Sequence, residues 1–197
     1  MTYYPDLSEY AYSPSAIPDL NVGWLARWHR YTKGEVSADF LAALARQASV
    51  TRSQTRGFHP CPFCRPWSRK GGEEGAARAV GIRLGSAEMH AFSRDGRVFA
   101  APNLVHHYVD RHGYRPPTEF VEAVLDVAEG RIGPSIVPRL REVLTDSTSV
   151  QDRVDAAVDL MQLSPDSTLE LIAGIAAEPA CHPYLKRKLE LLTAGQR

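Results

Sequence analysis

The 197-residue chain is long enough for one or two domains with a sizeable core, and its 44% hydrophobic content is ordinary for a soluble globular protein. Its 23 basic and 23 acidic residues cancel, which excludes a whole-chain pull toward nucleic acid or membrane and leaves only local patches. No apolar run is long enough to cross a bilayer.

The first residues, MTYYPDLSEYAYSPS, are aromatic and acidic and lack both the basic and the apolar region of a signal peptide, so a cytoplasmic location is expected. Across residues 1–34, Tyr3, Tyr4, Tyr10, Tyr12, Trp24, Trp28 and Tyr31 alternate with Pro5, Pro14 and Pro18. This reads as an extended arm whose rings pack on the body, with His29 structural among them, rather than as a base-stacking surface. Ser37 to Ala48 reads as a helix capped by Ser37, with Phe40, Leu41, Leu44 and Ala48 on one face. Residues 49–57 form a polar linker into Phe58-His59-Pro60-Cys61-Pro62-Phe63-Cys64.

Residues 65–85, rich in Arg, Lys and Gly around Gly71-Gly72, read as an insertion, with Arg65, Arg69 and Lys70 as a solvated basic cluster. Between Ala87 and Ala101 two short alternating runs flank Asp95-Gly96, a hairpin signal. His90 is expected on the hairpin surface. Pro102-Asn103 opens a helix that runs to His112 and stops at Gly113, with His106 on its surface.

Pro116-Pro117-Thr118 opens the next helix, which carries Phe120, Val121, Val124 and Leu125 inward and ends at Gly130. Four more follow. Pro138–Leu144 is short. Ser149 caps a helix with a Val150, Val154, Val158, Met161 stripe. Ser164-Pro165 starts one with Leu169, Ile172 and Ile175 inward. His182-Pro183 starts one with Leu185, Leu189 and Leu192 inward and Gly195 beyond it. Cys181 reads as a packed helix-end thiol. The pattern resembles a HEAT-type helical-hairpin repeat, with too few units for a solenoid. The expected fold is α+β and mainly helical. Residues 1–129 would form a zinc-binding α+β domain with the aromatic arm, and residues 130–197 a helical region packed on it.

Chemistry concentrates at Cys61 and Cys64. Two thiols three positions apart on a bend can aim at one point, and a Cys pair with a later His pair makes a four-ligand zinc set. His107 and His112 have four residues between them, within the range of finger helices; His106 and His112 have five, at its edge. Five positions on a regular helix turn past a common face, so the second imidazole must sit where the helix ends, beside Gly113. His59 is an alternative ligand. Four protein ligands leave no open position, so the site is read as structural.

Catalytic readings fare worse. Pro60 to Cys64 matches half of a nucleobase deaminase signature, but no H-x-E accompanies it. A thioredoxin-like pair needs βαβ flanks that are not there. A ββα-metal nuclease would have only His90 as base on its first strand. No catalytic residue is assigned.

The segments Asp19–Leu25 (DLNVGWL), Thr55–Cys64 (TRGFHPCPFC), Leu84–Phe92 (LGSAEMHAF) and Asp95–Leu125 (DGRVFAAPNLVHHYVDRHGYRPPTEFVEAVL) resemble a family of uncharacterised bacterial, zinc-finger-like proteins over about residues 5–126. The resemblance implies Cys61, Cys64, His107 and His112 as the ligand set and leaves His106 out. It implies no activity. The C-terminal helices bear a looser likeness to small adaptor and immunity proteins. The function expected is therefore a non-catalytic zinc-binding platform for a protein partner, in an immunity, antitoxin or adaptor role. The alternative is a nucleic-acid-associated module using Arg52, Arg56, Arg65, Arg69 and Lys70.

Overall fold

A computed structural model of the chain describes residues 2–64 and 78–194. Its helical share dominates, as expected for a mainly helical α+β fold. Arg65, Arg69, Lys70, Gly71-Gly72 and Gly195 lie outside the described residues.

The centre is a hairpin. Strands β4 (Glu88–Phe92) and β5 (Val98–Pro102) pair antiparallel, from Glu88 opposite Pro102 to Phe92 opposite Val98. The short strand β1 (Leu20–Asn21) adds parallel to β5, giving the order β1-β5-β4. Strands β2 (Arg78–Ala79) and β3 (Ile82–Arg83) form a separate two-stranded ribbon, a feature not anticipated in a stretch read as insertion.

Side chains alternate across the hairpin, and both faces are covered. Met89, Ala91, Phe99 and Ala101 face a core built with helices α1 (Ala38–Ala48), α2 (Val105–His112) and α3 (Thr118–Ala128). Phe92 and Val98 face a second core made by α4 (Ile136–Asp146), α5 (Val150–Leu163), α6 (Pro165–Ala177) and α7 (Pro183–Ala194). Local chemistry explains the ends. The Ser37 hydroxyl accepts from Phe40 N–H at 3.2 Å, and Ser149 caps α5 through Asp152 N–H at 3.2 Å. Gly113 closes α2 in the left-handed region at φ 63°, where a β-carbon would be strained.

The arm docks as expected. Leu7 N–H donates to Asn21 O at 2.8 Å and Tyr10 N–H to Asp19 O at 2.9 Å. Trp24 is buried against Tyr4 and Tyr12. Trp28 departs from the expectation, since it is 88% exposed; His29 is exposed too and stacks on Tyr3.

Helix α5 overturns two expectations. Val150 and Val158 are only half-buried, while Asp152, Asp155 and Asp159 are buried. These carboxylates reach back to the N-terminal half. Asp152 accepts from Ala16 N–H (3.1 Å), and Asp155 accepts from Ser53 N–H (3.0 Å) and hydroxyl (2.7 Å). Asp159 accepts from Arg52 Nε (2.7 Å) and meets His90 Nδ1 (2.8 Å). His90 is therefore not a surface residue; α5 covers the face on which it stands. Burial alone would raise the Asp159 carboxyl, but the Arg52 guanidinium and His90 hold it below its ordinary value. Leu169 and Leu192 are likewise half-buried rather than fully inward.

The Arg52–Asp159 pair is fully buried on both sides. Truncating one partner leaves an uncompensated charge in the interior. Asp159→Ala should lower unfolding free energy by about 3–5 kcal/mol, read from urea midpoints. Asp166→Ala, on an exposed first helical turn, should cost less than about 1 kcal/mol. Equal losses would show that the buried pair has no special weight.

Candidate metal centre

Cys61 and Cys64 sit on a bend directly before the undescribed stretch, with Phe63 between them. Phe63 packs its ring against Tyr31, Tyr108 and His112, at centroid distances of 5.1, 5.6 and 5.5 Å. That anchor points both sulfurs at α2. Phe63 N–H donates to Cys61 Sγ at 3.4 Å.

The four side chains named by sequence meet. His112 Nε2 lies 3.2 Å from Cys61 Sγ, 3.5 Å from Cys64 Sγ and 3.2 Å from His107 Nε2; His107 Nε2 lies 3.2 Å from Cys64 Sγ. All four ligand atoms fall within 4.8 Å of one another. Tetrahedral zinc, with bonds of about 2.3 Å to sulfur and 2.0–2.1 Å to nitrogen, would separate its ligand atoms by about 3.3–3.8 Å. The cluster can hold a metal ion with little adjustment. Both cysteines are free thiols. His112 ends α2, so its ring can swing back to His107 although five positions separate them.

Other candidates lie elsewhere. His106 is half-buried, and its Nδ1 has no hydrogen-bond partner among the described residues. His59 is exposed; its backbone N–H donates to Gly85 O at 2.7 Å, and its ring is outside the cluster. Cys181 is half-buried and packs on the second core. Asn103 is buried and its Oδ1 accepts from Gly85 N–H at 2.7 Å.

Electrostatics suit a metal. Burial pushes the Cys61 thiol up to about 11. Burial, then His112 and Arg111, hold His107 down to about 4. Burial and then Lys33 lower His112. Neutral imidazoles offer a lone pair, whereas the thiols must lose protons to a cation.

A family model described as a domain of unknown function (DUF7919) matches residues 2–125. The chain belongs to this family. The match takes in both halves of the Cys/His cluster, so all four side chains lie within the DUF7919 domain. Comparison with curated proteins and with solved structures returned no match.

Metal uptake by this DUF7919 domain at pH 7 should release at least about one proton, from the Cys61 thiol that burial keeps protonated, and none from the depressed imidazoles. Affinity should then climb about tenfold or more per pH unit through neutrality. Calorimetry in buffers of different ionisation enthalpy reads the proton count; a value near zero would refute thiolate ligation. Depressed imidazoles also mean that the metal-free fold binds protons later than the unfolded chain. Its stability should fall as pH drops from 6.5, the ordinary histidine value, toward about 4.

Proposed function

We propose that the chain is a zinc-stapled interaction protein in which Cys61, Cys64, His107 and His112 form a structural Cys2His2 site. The supporting observation is the convergence of four protein ligand atoms within 4.8 Å, a complete tetrahedral set with no position reserved for water or substrate. In this reading zinc fastens the bend to α2, and the surface around it engages a protein partner, with immunity, antitoxin or adaptor roles as concrete forms. Residues 1–129 act as the zinc-binding unit and residues 130–197 as the helical unit supporting it.

Exposed apolar side chains favour a partner surface. Phe58 lies three residues before Cys61 and is 42% exposed, and Arg83 of β3 caps its ring at 4.1 Å. Ile82 and Val80, at 39% and 66% exposure, stand on the same ribbon, and Trp28 projects from the arm. Phe58 and the β2–β3 ribbon are where such a partner would find apolar side chains in water.

The alternatives lose residues they need. Arg52 is buried and bound to Asp159 and Gln162, so it cannot join a nucleic-acid surface; Arg56 remains exposed. His90 is sealed against Asp159, which removes the base a ββα-metal nuclease would require. No helix of the described residues is long and apolar enough to cross a membrane.

Elemental analysis of the purified chain should give about one zinc per molecule, and a pull-down from its native host should return a protein in stoichiometric amount. Trp28→Ala and Phe58→Ala should weaken that capture while zinc content holds. A zinc-loaded chain that captures nothing, or a chain free of zinc after gentle purification, would defeat the proposal.

A further inference from the structure

A cavity of about 330 Å³ lies beside the bend and away from the four ligand atoms. Tyr12 and Trp24 of the arm, Thr55 and His59 of the linker, and Ser86 and Glu88 at the head of the hairpin line it. Tyr12 and Trp24 form a continuous aromatic wall, with ring centroids 4.2 Å apart.

Glu88 is the unusual member. It is 2% exposed. Its Oε2 accepts from the Tyr10 hydroxyl at 2.9 Å, while Oε1 is buried with no hydrogen-bond partner among the described residues. An unmet carboxylate oxygen in the interior is costly. The surroundings offset that cost only in part, through His90 and the Tyr10 hydroxyl, while Asp155 adds to it. Glu88, Asp155 and Asp159 are three buried carboxylates, and the Arg52 guanidinium and the His90 imidazole beside them are both already engaged by Asp159. Burial accordingly pushes the Glu88 carboxyl up to about 7.

The cavity is also built stiffly. Ser53 sits at φ 44°, an uncomfortable region for a residue with a β-carbon, and Asp155 holds it there through two hydrogen bonds. Strain of this kind persists where a site needs a fixed shape. Gly85 lies at φ 105° with His59 O only 2.5 Å from where its β-carbon would be, so no larger residue fits between the hairpin head and the linker.

A buried carboxyl group with an unmet oxygen, beside an aromatic wall, is an arrangement that a cationic hydrogen-bond donor completes and charges. Hydroxyls of Ser53, Thr55 and Ser86 around the same space offer further acceptors. We propose that this cavity binds a small molecule carrying an amidinium or guanidinium group, which donates to Glu88 while its apolar part lies along Tyr12 and Trp24. The cavity shares no lining residue with the Cys61, Cys64, His107, His112 cluster.

Benzamidine and its neutral analogue benzamide are suitable probes. Titrated into the full chain as purified and followed by calorimetry and by the indole N–H signal of Trp24, benzamidine should saturate one site. Benzamide should bind at least about tenfold more weakly, the worth of a charge-assisted hydrogen bond. Glu88→Gln should erase that preference, and its far-ultraviolet circular dichroism and urea midpoint report whether it still folds. Tyr12→Leu, at a half-buried wall position, should weaken benzamidine severalfold and leave the charge preference intact. Equal binding of the two probes, a preference that survives Glu88→Gln, or no saturation at millimolar benzamidine would overturn the proposal.

Discussion

The contact between Arg52, Asp159 and His90 organises this molecule. It joins the linker, the hairpin and α5 at one buried point. Arg52 also pairs its backbone with Glu88, N–H to O in both directions at 3.0 and 2.9 Å. One residue thus fixes the linker laterally to β4 and, through its side chain, vertically to α5. A buried ion pair is a weak source of net stability, because desolvation offsets most of the attraction. It does penalise every arrangement in which the partners miss each other, so it selects the one docking of the C-terminal helices that closes the charge.

The second fastening lies farther along the same strand of chain. From Arg52 the linker runs over the hairpin head, with Thr55 N–H donating to Ser86 O and His59 N–H to Gly85 O, both at 2.7 Å. It then turns at Cys61 and Cys64 toward α2. The chain from 52 to 64 is therefore a strap with an ion pair at one end and a ligand cluster at the other. Apart from Phe63 it carries little apolar weight into either core. Without a large hydrophobic contribution, its order has to come from its two ends.

Legibility in the sequence followed the range of the signals. The hairpin was readable because Asp95-Gly96 and the alternation beside it are local. Ser37, Ser149 and Gly113 marked helix ends for the same reason. The meeting of Cys61, Cys64, His107 and His112 was readable although they come from two distant segments, since metal chemistry admits few residue types and the candidates were correspondingly few. The buried charges were not readable. Asp152, Asp155 and Asp159 recur at helical spacing and look like the wet side of an amphipathic helix; only the position of Arg52, Ser53 and Ala16 in space turns that side inward. The same non-local event hid His90. A hairpin with polar residues on one face normally gives that face to water, and here a helix some sixty residues later covers it. Charges that cancel in the total do not say which of them are neighbours.

The Cys/His cluster and the cavity are mechanically connected through this strap. His59 is two residues from Cys61, and its carbonyl already presses on Gly85 as closely as a glycine allows. If the cysteines released α2, the cavity edge formed by His59 would lose the restraint that follows it, while Thr55 would stay pinned to Ser86. The state of the four-residue cluster would then bear on the shape of a pocket it does not touch. The ion-pair end bears on it from the opposite side, through Ser53 and Asp155. A pocket whose two walls are set by two separate electrostatic fastenings can be rigid even though it is assembled from loops, which is the condition under which a single unpaired carboxylate oxygen can discriminate by charge.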